Sequence, residues 1–428
     1  MTEIAGPLFQ PLSIGRLHLP GRLVKTATSE TRASETGQAG EEITDFYLPI
    51  AEAGTPLIIT GALYVSPDGQ STPRQMGAES DDRIFGLRAL TSAVHKQGSL
   101  IIAQLSHSGR QVVPHSVGLA EALSPSSIRD LSTGTKPRAL ELEEIHRIAQ
   151  EFGAAAGRCK MAGFDGVQIQ AGHGDLVSQF LTPHTNRRRD AYGGSFMART
   201  QFLRDVNQAI RAQVGADFPV LLKINGSDEL RFRAGLKTKE LVEVAKVLEG
   251  EGIDAVEVSV GHHESGFASV RGRFFRCLGR MVRGSVRHLP LFRRTLLTTT
   301  WPVWALASNI LWPYREAFNL AAARRFKQAL KIPVICVGGF RRRETMEAAI
   351  ETGFCDAVSV GRGFIANPYL SAHLVTGTDG PQCVLCNACV GSIGTDPLDC
   401  HHPKVRAEKE ALLAQGMPKL QAAIAVEN

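Results

Sequence analysis

Short apolar runs alternate along the chain with stretches whose apolar positions recur every three or four residues, and one joint marks the change each time. A helical stretch ends in glycine, one or two residues follow, and an Asp or Pro opens a β-branched apolar run. The joint reads Gly54-Thr-Pro before LIITGA, Gly163-Phe-Asp before GVQIQ, Gly252-Ile-Asp before AVEVSV and Gly353-Phe-Cys-Asp before AVSVG. With RLVKTA (22–27), SLIIAQL (99–105), PVLLKI (219–224) and PVICVGG (333–339), eight strands are expected. Seven helical patterns fit between them, such as Leu142, Ile145, Ile148, Ala149 and Phe152 at helical spacing. Continuous apolar strands separated by helices require a parallel sheet buried on both faces. Closure at eight gives an α/β fold of the (β/α)8 TIM barrel type, in preference to an open doubly wound sheet.

In such a barrel the chemistry belongs at the C-terminal ends of the strands. The polar residues there include Thr28 and Ser29, Gln104 with His107, Gln170 with His173, Lys223, and His262 with His263. His173 falls where VQIQ breaks into Gly-His-Gly-Asp, at the mouth just past strand four. Taken singly, each is an ordinary loop residue; their recurrence after nearly every strand points to a site. Strands seven and eight end in VGGF and VGRGF. Gly338, Gly339 and Gly361 would let backbone N–H groups approach a phosphate, and Arg362 would supply a forked cation. Across the mouth, Lys223 and Gln104 suit a planar heterocycle that takes negative charge on reduction, as a flavin does.

The stretch VQIQAGHGDLVSQFLTPHTNRRRDAYGGS resembles the fourth-strand signature of the Old Yellow Enzyme family of FMN-dependent NADH:flavin oxidoreductases, including its dienoyl-CoA reductase and trimethylamine dehydrogenase branches. RLVKTATSE, AQLSHSGRQ, PVICVGGF and DAVSVGRGFIANP are similar to further family segments in the same order, over residues 7 to about 262 and 313 to 402. The resemblance implies FMN as cofactor and NAD(P)H as reductant. It implies that Ala27, Thr28 and Ser29 flank the flavin, that Gly61 and Gln104 contact its ring, and that Lys223 faces N1 and O2. Gly338, Gly339, Gly361 and Arg362 would bind the phosphate.

The family pattern His-x-x-His/Asn-x-Tyr is replaced here by Gln170, His173 and Asp175. His173 and the amide of Gln170 would donate two hydrogen bonds to a developing oxyanion. The tyrosine that protonates carbon has become Asp175, whose carboxyl is ionised at neutral pH unless burial raises its pKa. Three readings stand: Asp175 is a raised-pKa acid, it orients His173, or it faces solvent while another group protonates. His107 reads as a hydrogen-bonded support rather than a catalyst.

Four of the eight cysteines, Cys383, Cys386, Cys389 and Cys400, are spaced C-x2-C-x2-C-x10-C. Clustered thiols of this kind suit a cluster or zinc. Their place after the barrel is similar to the [4Fe–4S] site of the two branches, with a shorter gap before the fourth cysteine. Cluster, zinc and an unoccupied thiol set all remain open, and a cluster would require an electron-transfer partner.

Residues 1–380 therefore read as the barrel, with an insertion at about 264–313, and 381–428 as a cysteine-containing segment and tail. At 428 residues and 43% hydrophobic content the chain can bury a large core. Its start, MTEIAGPLFQPL, lacks the pattern of a signal peptide, which makes the cytoplasm the expected compartment. Forty-eight Lys and Arg against 42 Asp and Glu, with no aromatic-basic repeat, give no nucleic-acid signature. In the insertion, Arg273, Arg276, Arg280, Arg283 and Arg287 recur at three- and four-residue steps beside Phe274, Leu278, Met281 and Val282, a basic amphipathic helix. TLLTTTWPVWALASNILW follows. A lid over a bulky apolar substrate is the favoured use; a peripheral membrane contact through 271–312 and a homo-oligomer contact are the others.

The function expected is transfer of hydride from NAD(P)H through flavin to an organic acceptor such as an activated alkene or a bulky apolar carbonyl compound. The alternatives are an amine or related donor dehydrogenase that passes electrons through the cluster, and a flavin-binding protein without turnover.

Overall fold

The computed structural model describes residues 6–417 except Phe267, Gly284, Ser285, Arg287, His288 and Gly394; Arg287 and the tail beyond residue 417 thus lie outside the described residues. Eight parallel strands close into a barrel: β1 Leu23–Lys25, β2 Leu57–Tyr64, β3 Leu100–Ser106, β4 Gly166–Ala171, β5 Val220–Asn225, β6 Ala255–Ser259, β7 Val334–Val337 and β8 Ala357–Val360. They follow the eight runs expected, extending LIITGA to Tyr64, SLIIAQL to Ser106, GVQIQ to Ala171 and PVLLKI to Asn225. The wall is completed by β8 pairing with β1, Val358 opposite Leu23.

The intervening helices are α1 Glu41–Glu52, α2 Ile84–His95, α3 Leu142–Met161, α4 Phe196–Val214 and α5 Thr238–Gly250; after the insertion helices α6 Phe275–Arg283 and α7 Leu291–Leu311 come α8 Leu320–Ala329 and α9 Arg343–Glu351. The helical positions read from the sequence in α3 explain its packing: Ile145, Ile148, Ala149 and Phe152 are all buried. Outward strand residues such as Val167, Ile169, Leu222 and Val258 form one core with the helices.

Inward residues form a second core. Val24, Leu57, Ile59, Ile102, Leu221, Ala255, Ile335 and Ala357 make its floor, closed from below by Ile14, Leu17 and Leu19 of an N-terminal hairpin. Burying each Val, Leu or Ile among them contributes roughly 1.5–3 kcal/mol. With the floor sealed by hydrocarbon, the polar inward residues are left to the upper barrel and its C-terminal mouth.

Candidate active site

The strand period of two stacks inward side chains in layers. Above Leu221, Ile102 and Ala255 comes a polar layer of Gln104, Gln168, Lys223, Glu257 and Ser359, with Thr26 just beyond β1. The fully buried Glu257 is its hub. One carboxylate oxygen accepts from Thr26 Oγ1 and Ser359 Oγ, both at 2.6 Å. The other faces Lys223 Nζ at 3.1 Å and Gln168 Nε2 at 3.0 Å. Burial alone would raise its pKa, but the Lys223 charge and these hydrogen bonds hold it below the ordinary range. Gln104 Nε2 donates to Gln168 Oε1 at 2.7 Å, and Lys223 Nζ to Thr26 Oγ1 at 2.8 Å. Gln104 and Lys223 thus share one continuous network beneath the mouth.

One layer higher, β4 delivers Gln170 and the turn after it delivers His173 and Asp175. His173 is left-handed, with φ 58°, a conformation a non-glycine residue holds only when its surroundings impose it. They do so here: its N–H donates to Asn225 Oδ1 at 3.1 Å, and its carbonyl accepts from Gln111 Nε2 at 3.1 Å and His263 N at 2.9 Å. Its ring is drawn toward β6, with Nε2 3.0 Å from Ser259 Oγ and a further bond to the Gly261 backbone. Burial, then the Lys223 charge, push its pKa down to about 3, so the imidazole is neutral at physiological pH.

Asp175 does not orient that ring. Its side-chain partners are Gln170 and Ser106. Burial raises its pKa to about 7 against the opposing pull of those two bonds, which leaves a large protonated fraction at neutral pH. The expectation that the Gln170 amide donates to a ligand changes accordingly: the side chain is engaged with Asp175, and its buried Oε1 has no hydrogen-bond partner. His107 is the expected support. Its Nδ1 accepts from Gly109 N at 3.0 Å, and its Nε2 lies 3.3 Å from Asp68.

Between β1 and β7, around the rim, the residues meant for a flavin are distributed unevenly. Ala27, Thr28, Ser29, Gly339, Gly361 and Arg362 are partly accessible and trace an open arc. Gly61 is different. The β2–β3 register shifts between Ile59 and Ala62, and the displaced Gly61 N–H points at Glu30 Oε1, 2.7 Å away. A Cβ there would come within 2.0 Å of Glu30 Oε2, so the glycine is needed for this internal contact. Gly338 also serves its own chain, since a Cβ would lie 2.7 Å from that of Asn319. Arg362 donates to Asn387 Oδ1 and, at 3.0 Å, to the Arg271 carbonyl. These acceptors are neutral, so its positive charge stays available to an anion beside Gly361.

Several residues of the site escaped the sequence reading. Lys25 is wholly buried beyond the barrel wall, against the rings of Phe46 and Tyr47, and burial pulls its pKa down to about 8 while Glu30 opposes. Lys25, Gln168 and Glu257 were visible as polar residues inside apolar strands, a signal of an interior network. Glu264, at the start of the insertion, pairs as a charge with Arg110 Nη2 at 2.9 Å and accepts from His184 Nε2 at 2.8 Å, Arg233 Nη1 at 2.9 Å and Leu131 N at 2.8 Å. This carboxylate ties together the mouth loops that follow β3, β4, β5 and β6. Nothing local in the sequence announces it.

The insertion and the cysteine segment pack on each other. Phe274, Cys277, Trp301 and Ala305 form a small core joined by Val390, and Arg280 pairs with Asp396 at 2.9 Å. Burial pushes the Cys389 thiol up to about 12, with Cys383, Cys386 and Cys400 adding to the shift. Cys383, Cys386, Cys389 and Cys400 are therefore neighbours, but among the described residues no three His, Cys, Asp or Glu side chains are arranged to hold a metal ion.

The NADH:flavin oxidoreductase / NADH oxidase family model matches residues 7–264, and the chain belongs to that family. A dihydrouridine synthase model matches residues 313–416, which hold β7, β8 and the cysteine segment. An NADH oxidase of Thermoanaerobacter brockii is 32% identical over 90% of this chain and 53% of its own length, so the chain spans about half of that relative. A 4,4'-dithiodibutanoate disulfide reductase of Rhodococcus erythropolis is 30% identical over 92% of this chain and 95% of its own. Among solved structures, the old yellow enzyme homologue of Zymomonas mobilis superposes with a TM-score of 0.69 at 25% identity, covering 94% of this chain and 99% of the other.

Proposed function

We propose that the chain is an FMN-dependent oxidoreductase that takes hydride from NAD(P)H and delivers it to the electron-poor carbon of an activated alkene. Asp175 carries this reading: a carboxyl with a pKa of about 7, held by Gln170 and Ser106 at the barrel mouth, keeps a proton to give at neutral pH. FMN supplies the two-electron relay between the nicotinamide and the alkene. The residues present suit it. Lys223 with Gln104 offers a cation and an amide to the ring, Ala27, Thr28 and Ser29 leave room along one edge, and Arg362 with Gly339 and Gly361 offers positive charge and backbone to the phosphate.

The other residues have defined tasks in this account. His173, neutral and clamped, shapes the floor on which an acceptor rests and presents no competing acid. Gln170 fixes the Asp175 carboxyl, and its unpartnered Oε1 accepts a hydrogen bond from the bound molecule. Asp175 gives its proton to the carbon neighbouring the one that received hydride, which completes addition of two hydrogens across the double bond. The glycine-rich ends of β7 and β8 and the mouth loops held by Glu264 exclude water from one side.

Anaerobic rapid mixing of the native protein and Asp175→Asn tests this reading. Reduction of bound flavin by NAD(P)H should be nearly unchanged in the variant. Reoxidation by an activated alkene should slow by about 10²–10⁴-fold, the usual worth of a positioned acid. Equal reoxidation rates would refute the proton donor. Reoxidation only by a disulfide such as 4,4'-dithiodibutanoate, and never by an alkene, would refute the acceptor.

A further inference from the structure

Residues 265–315 contain nine arginines, no lysine, and neither Asp nor Glu. The whole chain carries a net charge of only +6, so everything outside this segment is net negative. The segment also holds a run of uncovered hydrocarbon among the described residues. Helix α7 is apolar on two opposite faces. Leu297, Trp301, Ala305 and Ser308 form the inner face, with Trp301 and Ala305 buried against Phe274 and Cys277. Phe292, Leu296, Val303, Leu306 and Ile310 form the outer face; Val303 and Ile310 are each 71% exposed and Leu296 is 60% exposed. At helical spacing these five, with Thr299, fall in one stripe along the full length of α7. Trp304, 55% exposed, stands on its flank.

A continuous apolar stripe left bare marks a surface that meets something else. Charge decides between the candidates. Arg273, Arg276 and Arg293 are exposed, and no carboxylate contact is found for them among the described residues. A second copy joined through the same stripe would set arginines against arginines, because a two-fold contact places each patch on itself. An anionic lipid surface offers the opposite charge and an apolar layer beneath it. Among the described residues no helix is long and apolar enough to cross a membrane.

We propose that α7 lies flat in the surface of an anionic membrane, its outer stripe sunk among the lipid chains and the surrounding arginines on the headgroups. Across its 21 residues the helix extends about 30 Å in the membrane plane. The stripe supplies the apolar burial, and the arginines make docking dependent on lipid charge and on salt.

Co-sedimentation of the full chain with vesicles tests the assignment. The protein should pellet with phosphatidylcholine vesicles containing phosphatidylglycerol, much less with phosphatidylcholine alone, and less as salt is raised. Val303→Glu with Ile310→Glu should cut pelleting at least ~10-fold, while Arg276→Ala should weaken it about five-fold. Circular dichroism of both variants should match the native protein, since these side chains face outward. Trp304 emission should shift to the blue when anionic vesicles are added, and Trp304→Phe should remove the shift because Trp301 and Trp312 are already buried. Failure to pellet with anionic vesicles overturns the proposal, as does pelleting that the double variant leaves unchanged. A native dimer in light scattering that Val303→Glu turns into a monomer, with no vesicle binding, would instead assign the stripe to a contact between copies.

Discussion

Lys223 and Glu257 face each other across the β5–β6 ladder inside the closed barrel, with Nζ 3.1 Å from Oε2 and both side chains almost wholly buried. An ion pair in such a place is strongly felt when one member is removed, because the other keeps its desolvation cost without its counter-charge. Glu257→Gln should lower the unfolding free energy by roughly 3–5 kcal/mol. Lys223→Met together with Glu257→Gln should recover a large part of that loss. Urea unfolding of the native protein, both single variants and the double variant gives the coupling; strictly additive losses would contradict the pair as described.

Asp175 makes stability depend on pH in the sense opposite to an ordinary ion-paired carboxylate. Its folded pKa of about 7 lies above its ordinary 3.8, so the folded chain keeps a proton that the unfolded chain releases. This group therefore costs nothing below about pH 4, and its cost grows as pH rises toward 7 and is complete above it. Asp175→Asn should be more stable than the native protein by roughly 1–3 kcal/mol at pH 8 and equal to it at pH 4. Thermal unfolding at the two values checks the crossover.

His173 and His262 act in the other direction. Burial lowers both to about 3 from 6.5, so the unfolded chain binds protons that the folded one refuses. Their contribution is intact above pH 6.5 and is lost as pH falls from there toward 3. Unfolding at pH 5 should take up roughly two protons on their account. Calorimetry in buffers of different ionisation enthalpy measures this uptake, and replacing both with Gln should remove it.

Glu264 offers a test of the mouth loops. Glu264→Gln removes the nearer of the two carboxylates that face the fully buried Arg110, leaving Asp130 at 3.6 Å. The loss should be about 1–3 kcal/mol, since the guanidinium keeps one counter-charge. Limited proteolysis should open first in the loops around Arg110, Leu131 and Arg233, before the barrel helices are cut. Cleavage unchanged from the native pattern would show that the carboxylate does not hold them.

The barrel was legible because burial on both sides of a parallel sheet writes each strand as a mostly apolar run, and because the Gly-x-Asp or Gly-x-Pro joint repeats before several of them. The positions of Gln170 and His173 at the mouth followed from strand ends, and that of Asp175 from the family pattern. Their contacts did not. The Asp175 partner Ser106 comes from β3, and its bond depends on how two neighbouring strands are staggered. Glu257 looked like one polar residue in AVEVS, yet its four contacts come from β4, β5, β8 and the residue just beyond β1. Gly61 was read as contacting a flavin ring and Gly338 as binding its phosphate; that Glu30 and Asn319 stand where their Cβ atoms would lie was not legible. Arg110 and Glu264 are too far apart in sequence for any pattern to pair them. The insertion showed its basic helix and apolar run plainly, but only the packed structure separates the α7 face that is covered from the face that is bare.

The most direct test is the absorption spectrum of the folded protein, purified anaerobically, given FMN and then titrated with NAD(P)H. The account predicts a yellow protein with flavin bound in a one-to-one ratio, bleached by NAD(P)H, with binding weakened in Lys223→Met and in Arg362→Ala. A colourless, folded protein that takes up no FMN, or flavin binding indifferent to both substitutions, would contradict it.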